Sequence, residues 1–254
     1  MRKLSVLLLC TLLCPVPLWG CTGQSADEYA GETITELKEG DPSAFSRLLD
    51  AGLEESGADF VIQCPEEVKE PYLKFLQAAF ASIEFEVASA SERSDDVYSV
   101  PITYTPIDLA QTVGSANEET AADPPSADFT ETMQAVLEAD TKLVADDPVY
   151  GAETTTDLTV SRTDDGFSIA EEDLQSFLAS ALSGYMTPYD TFGALYDMQD
   201  FLTSYLDASF KGEVAQFALH TDRTEDEAYE WYLADTFDPP ADLSQAYVAR
   251  YQAA

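Results

Sequence analysis

Between Phe80 and Ile83 the hydrophobic period of the chain changes, and this change restricts the fold more than any other feature. After Pro71, the residues Tyr72, Phe75, Leu76, Ala79 and Phe80 recur every three or four positions, the spacing of one helix face. From Ile83 the period is two. Ile83, Phe85 and Val87 alternate with Glu84 and Glu86, and Tyr98, Val100, Ile102 and Tyr104 alternate with Ser99, Pro101, Thr103 and Thr105. Period two sends successive side chains to opposite faces of a strand, so one face is apolar and the other wet. Two antiparallel strands joined by a polar turn from Ser91 to Asp96 are expected. Pro101 has no N–H to give to a ladder, which places its strand at an edge or at a bulge.

Helical patterns flank this pair. Tyr29, Thr33, Ile34 and Leu37 mark a first helix, and Gly40-Asp41-Pro42 ends it and starts the next, with Asp41 as N-cap and Pro42 first inside. Phe45, Leu48 and Leu49 form the apolar face of that second helix. The stretch from Gly114 to Asp128 reads as a mobile surface loop. Phe129 to Val144 then forms a helix with Met133, Val136, Leu137 and Val144 inward. Leu158 and Val160 lie on a third strand, Asp165-Gly166 is a tight turn, and Phe167 and Ile169 return on a fourth. Glu171 to Ser183 is helical, with carboxylates in its first turn where the helix dipole favours them. The expected fold is α+β: N-terminal helices packed on a curved antiparallel sheet of about four strands, followed by a helical C-terminal segment.

That segment, residues 185–254, has no alternating stretch. Thr187 and Pro188 supply a helix start, and Phe192, Leu195, Tyr196, Leu202, Tyr205 and Leu206 supply one inward face. The stripe Tyr185, Tyr189, Phe192 and Tyr196 reads as core. Thr224 and Glu227 have capping-box spacing, Tyr229, Tyr232 and Leu233 continue the helical pattern, and Leu243, Tyr247 and Val248 remain to be buried. A segment of this size is marginal alone, so it is expected to pack on the preceding domain or on a second chain. It also carries an echo of the N-terminus: Gly212-Glu213 with Phe217 matches Gly40-Asp41 with Phe45, and Glu227-Ala228-Tyr229 with Leu233 matches Glu70-Pro71-Tyr72 with Leu76. Either chance or a partial second repeat accounts for it.

The N-terminus gives an address. Met1-Arg2-Lys3 is basic, and Leu4 to Leu13 is an apolar run too short for a membrane-spanning helix, which needs about twenty residues. The order is that of a signal peptide. Leu18-Trp19-Gly20-Cys21 resembles the lipobox of bacterial lipoproteins, with Trp19 standing where a small residue is usual. The resemblance implies removal of residues 1–20, a diacylglycerol on the Cys21 sulfur, a tether over residues 21–28, and a place on the outer face of a bacterial cell membrane. The alternative is an ordinary secreted protein cut nearby. Cys10 and Cys14 would leave with the signal, so only Cys64 remains beside the lipidated Cys21 and no intramolecular disulfide forms. Cys64 has no basic neighbour to lower its pKa and reads as a buried small hydrophobe.

With 48 acidic and 12 basic residues the net charge is −36, which rules out nucleic acid as a partner, since phosphate binding needs Lys and Arg. Anionic lipid head groups would repel the body, so the lipid on Cys21 would be the link to the membrane. The charge serves solubility, or it recruits cations or a basic partner. No catalytic set stands out. The single histidine, His220, has no G-x-S-x-G partner and reads as a helix-end or surface residue. The carboxylate groups Asp95-Asp96, Asp146-Asp147, Asp164-Asp165 and Glu171-Glu172-Asp173 lack calcium-loop spacing, and neither a metal site nor a cofactor is expected.

The strand ending Ile102-Thr103-Tyr104-Thr105-Pro106-Ile107-Asp108-Leu109, with the hairpin-to-helix run Asp164-Asp165-Gly166-Phe167-Ser168-Ile169-Ala170-Glu171-Glu172-Asp173-Leu174, resembles the cystatin-like and nuclear-transport-factor-2-like cone folds of many Gram-positive surface lipoproteins. The resemblance covers residues 29–184, and family members commonly carry Trp where Phe167 stands. It implies a fold rather than an activity. The expected function is a non-catalytic, lipid-anchored envelope protein that binds a small ligand, a peptide or a partner protein. The competing expectation is a secreted hydrolase using paired carboxylates.

Overall fold

The computed structural model describes residues 24–211, 214–228 and 230. Helix α1 (Ala26–Glu39) opens with a capping box, in which the Ser25 hydroxyl accepts from Glu28 N and the Glu28 carboxylate accepts from Ser25 N. Asp41 caps a 3-10 turn over Pro42–Phe45 that runs into α2 (Ser46–Gly57), and Phe45, Leu48 and Leu49 are buried as expected. Helix α3 (Glu66–Ala81) starts before Pro71 rather than after it. Proline inside a helix leaves the carbonyl four residues earlier without its donor. Here that carbonyl is Glu67 O, and it accepts from Gln134 Nε2 at 3.2 Å.

The sheet has four strand positions. Strands β1 (Phe85–Val87) and β2 (Ser91–Ser94) share one edge of β3 (Val97–Tyr104), which pairs on its other edge with β5 (Thr154–Thr163), and β5 pairs with β6 (Gly166–Ile169), all antiparallel. The polar stretch expected as a turn is therefore mostly strand, and the turn itself is Asp95-Asp96, with Asp96 at φ 61°. Pro101 lies in an inner strand at a bulge, not at an edge. The pairing shifts by one residue between Val87, opposite Ile102, and Ser91, opposite Ser99. Ala88 N donates to Pro101 O at 2.9 Å in that gap. In an antiparallel ladder a residue's N–H and C=O point to the same neighbour, so the donor that Pro101 lacks would have faced the break.

Val100, Ile102, Tyr104, Leu158 and Val160 line the buried face of the sheet, covered by α1 and α6 (Glu171–Ala181). The rings of Phe80, Phe85, Tyr104 and Phe177 meet there at 4.9–6.0 Å, mostly edge-on or tilted as ring quadrupoles favour. The opposite face is wet, with the Thr103 and Thr155 hydroxyls 2.8 Å apart. The architecture is the expected α+β fold.

Further elements differ from the sequence reading, among them the end of α6, which stops at Ala181 and leaves Leu182–Ser183 to a strand. The loop expected from Gly114 is helix α4 (Leu109–Ala122), capped by Asp108, whose side chain accepts from Gln111 N at 3.0 Å. After Val113 its inward residue is Asn117 rather than a large apolar one, so no hydrophobic period betrays the helix. Just before it, β4 (Ile107–Asp108) pairs in parallel with β7 (Leu182–Ser183) in a second, two-stranded sheet. Helix α5 (Phe129–Asp146) buries Met133, Val136, Leu137 and Val144 as its pattern requires.

Helix α7 (Thr187–Lys211) buries Tyr189, Phe192 and Tyr196 in the main core. Its expected inward face continues only in part: Leu202 is 52 % and Leu206 50 % exposed, whereas Tyr205 is packed. Beyond Tyr196 the helix leaves the main core, and Tyr205, with Phe201 and Ala208, packs on Phe217 and Ala218 of α8 (Ala215–His220) in a small separate core. Thr224 and Glu227 then form the expected capping box. Of the residues singled out above, Cys21 and the signal segment, Gly212, Glu213, Tyr229, Tyr232, Leu233, Leu243, Tyr247 and Val248 lie outside the described residues.

Candidate functional site

The segment Phe60-Val61-Ile62 leads from α2 to α3 and lies across α7. Its amides point at one side chain: Asp197 Oδ1 accepts from Val61 N at 2.9 Å and from Ile62 N at 3.2 Å. Tyr189, two turns earlier, donates its hydroxyl to Ile62 O at 3.1 Å. On the neighbouring side of the helix, Asp200 faces α8. Its Oδ2 accepts from Gln216 Nε2 at 2.9 Å and lies 2.8 Å from His220 Nε2. A carboxylate only accepts, so Nε2 carries the imidazole proton. The His220 side chain is 2 % exposed, its Nδ1 stands 3.8 Å from Asp197 Oδ2, and the Phe201 ring meets it edge-on at 5.9 Å. His220 does end a helix, as its sequence position suggests. Asp200, which holds it, was not foreseen, because the spacing of three between Asp197 and Asp200 on α7 means nothing until α8 folds back.

Between these elements runs an open groove of about 530 Å³, lined by Val61, Ile62, Asp128, Phe129, Tyr196, Gln199, Asp200, Thr203 and Gln216. Each wall has a local cause. Asp128 caps α5 and accepts from Glu131 N at 2.9 Å. Tyr196 donates its hydroxyl to Ser126 O at 2.5 Å and lies 2.7 Å from Thr132 Oγ1, so α7 is bolted to the start of α5. Gln199 and Thr203 are exposed on the next turn of α7. The groove therefore offers carboxylate, amide and hydroxyl groups above a partly aromatic floor, the usual composition of a site that orients a polar ligand.

The carboxylate groups noted in the sequence are dispersed. Asp95-Asp96 sits in the β2–β3 turn, Asp146-Asp147 at the end of α5, and Asp164-Asp165 in the β5–β6 turn. In α6, Glu171 pairs with Arg47 and Asp173 Oδ2 accepts from Thr159 N at 2.9 Å. Among the described residues, no three Asp, Glu, His or Cys side chains are placed to hold a metal ion. A second cleft, of about 500 Å³, is acidic, with Glu55, Asp59 and Asp190 on its walls. Burial raises the Asp190 pKa above its ordinary value, the Ser56 hydroxyl pulls it back, and the Asp59 and Glu55 charges push it further up. Cys64 is half-buried, and burial pushes its thiol up to about 11, which leaves little thiolate for chemistry.

The least expected ionisable group lies inside the protein. Asp140 of α5 is 2 % exposed, as is Asn117 of α4. Burial pushes the Asp140 carboxyl up to about 7, with Asn117 pulling against the rise. Even so, Asp140 Oδ2 and Asn117 Nδ2 make no hydrogen bond of good geometry. Neither residue lines the groove.

No protein-family model and no curated protein matches the sequence. Among solved structures, the crystal structure of a candidate lipoprotein, ycdA, from Bacillus subtilis is similar, with 14 % identity and a TM-score of 0.47. The likeness covers 63 % of this chain and 56 % of that one, so this chain matches little more than half the length of that lipoprotein.

Proposed function

We propose that this is a lipid-anchored, extracytoplasmic envelope protein that binds a ligand or partner in the α5–α7–α8 groove without catalysing a reaction. The observation that carries the binding reading is the state of the groove's polar groups. Asp128, Tyr196, Asp200 and Gln216 already hold fixed hydrogen bonds to the protein. Such groups present a rigid, preorganised surface, which favours recognition, whereas a general acid or base needs a free proton path to its substrate. The lipobox-like Cys21 supports the anchor. Helix α1 begins at Ala26, five residues after Cys21 and inside the expected tether, so a fully extended chain between them would span at most about 17 Å. Among the described residues no helix is long and apolar enough to cross a membrane. The kinship with cone folds is part of the same reading, and α1 lying against β1, β3, β5 and β6 supports it.

Two measurements test this. Cys21→Ala should abolish lipid labelling and release the protein from the membrane fraction; unchanged labelling would refute the anchor. A photo-crosslinking residue at Thr203 should give a discrete adduct in intact cells that the same residue at Asp165, on a distant turn, does not. No adduct at either position would refute the groove.

A further inference from the structure

On its outer side α7 carries a second surface, separate from the groove. Met198, Leu202 and Leu206 are 61 %, 52 % and 50 % exposed and follow one another at intervals of four, which aligns them along the helix. Scattered exposed leucines are ordinary, but a contiguous stripe marks an interaction surface. The residues around it are also selected. From Ala194 to Leu206 the exposed positions of α7, apart from Gln199, Asp200 and Thr203 on the groove side, are Ala194, Met198, Leu202 and Leu206, all apolar, in a chain that is 24 % charged. Within that span the two carboxylates of α7 are taken up elsewhere, Asp197 by the amides of Val61 and Ile62, and Asp200 by His220 and Gln216. The apolar stripe thus belongs to a segment whose charge is predominantly negative. Between Tyr185 and Glu230 only Lys211 and Arg223 are basic, against ten acidic residues.

We propose that the outer face of α7 docks an amphipathic helix whose flanks are cationic. An apolar row three side chains long matches the i, i+4, i+8 anchors of such a helix. The surrounding negative field would attract its Lys and Arg residues and speed their encounter. A second copy of this chain fits less well. It would bring a second strongly acidic chain to the same face. An anionic membrane surface is disfavoured for the same electrostatic reason.

The test uses the full mature chain, made soluble by Cys21→Ser, and a fluorescein-labelled 14-residue Leu/Lys peptide with its apolar residues on one helical face. A scrambled peptide of identical composition is the control. Anisotropy should show micromolar binding of the amphipathic peptide that weakens about tenfold from 50 to 500 mM salt. The double variant Met198→Gln, Leu202→Gln should weaken that binding at least tenfold while binding the scrambled peptide as the parent does. Leu206→Gln should act in the same direction and guards against a folding defect in the double variant. Equal affinity of parent and variants for the amphipathic peptide would overturn the proposal, since binding would then be charge alone. Self-association of the parent that strengthens with salt and disappears in the variants would also overturn it, assigning the stripe to a second copy.

Discussion

Gln134 on α5 donates its side-chain amide to the main-chain carbonyl of Glu67 on α3 at 3.2 Å. This carbonyl lacks an intrahelical donor because Pro71 stands four residues on. A residue of one helix thus repairs a defect in another, and α3 tolerates a proline past its first turn. Gln134→Ala should cost about 1 kcal/mol, the ordinary net worth of a hydrogen bond. Pro71→Ala restores the N–H and should stabilise by about 1–3 kcal/mol. In the double variant the Gln134 substitution should cost close to nothing. Denaturant unfolding of the four proteins gives the coupling, and strictly additive effects would show that Gln134 does not serve this carbonyl.

Asp140 makes stability depend on pH in an unusual direction. Its folded pKa of about 7 lies above its ordinary 3.8, so the folded protein keeps a proton that the unfolded chain has lost. Its contribution is fully present below about pH 4 and is lost as pH rises through about 7, by up to roughly 4 kcal/mol. Asp140→Asn removes the titration and can still face Asn117. At pH 8 it should raise the unfolding free energy relative to the parent, and at pH 4 it should not. A parent and variant whose difference is constant from pH 4 to 8 would contradict a protonated buried Asp140.

Asp197→Ala deprives two loop amides of their acceptor. The expected loss is about 1–3 kcal/mol, together with local opening. Amide exchange at Val61 and Ile62 should accelerate by about tenfold or more, while that of Val100 and Leu158 in the sheet follows only the global change. Unchanged exchange at the two loop amides would remove Asp197 from its role.

Two glycines should respond oppositely to alanine. Gly184 joins β7 to α7 with φ at +72°, and a Cβ there would stand 2.8 Å from Ala110 N at the start of α4. Gly184→Ala should destabilise by at least about 2 kcal/mol, or about 4–8 °C in Tm. Gly114 lies within α4, and nothing lies within 4 Å of where its Cβ would be. Gly114→Ala should gain about 0.5–1 kcal/mol from helix propensity. A loss at Gly114 would mean that α4 is not helical there.

The sequence by itself determined the elements whose side chains meet the core at a regular period. The stripe from Tyr72 to Phe80, the alternation of Val100, Ile102 and Tyr104, and the inward face of α5 all fell where their spacing put them, because burial of apolar area drives folding and only one face of each element can be buried. Caps at Asp41 and Thr224 were legible for a similar reason, since they satisfy donors within a few residues of themselves. The tertiary structure alone decided what depends on distant partners. α4 was hidden because it is inward through Asn117, and β4 because its partners are distant, Tyr150 in an isolated bridge and Leu182–Ser183 more than seventy residues on. Leu202 and Leu206 follow Leu195 at seven and eleven residues, a same-face interval on a helix, yet they face outward. Periodicity shows that a helix has an apolar side; where the helix leaves the core, and which side α8 then covers, is fixed by packing. The groove belongs to the same category. Asp197, Asp200 and His220 are ordinary polar residues along the chain, and they become a site only when the loop at Val61 and the end of α8 fold onto α7.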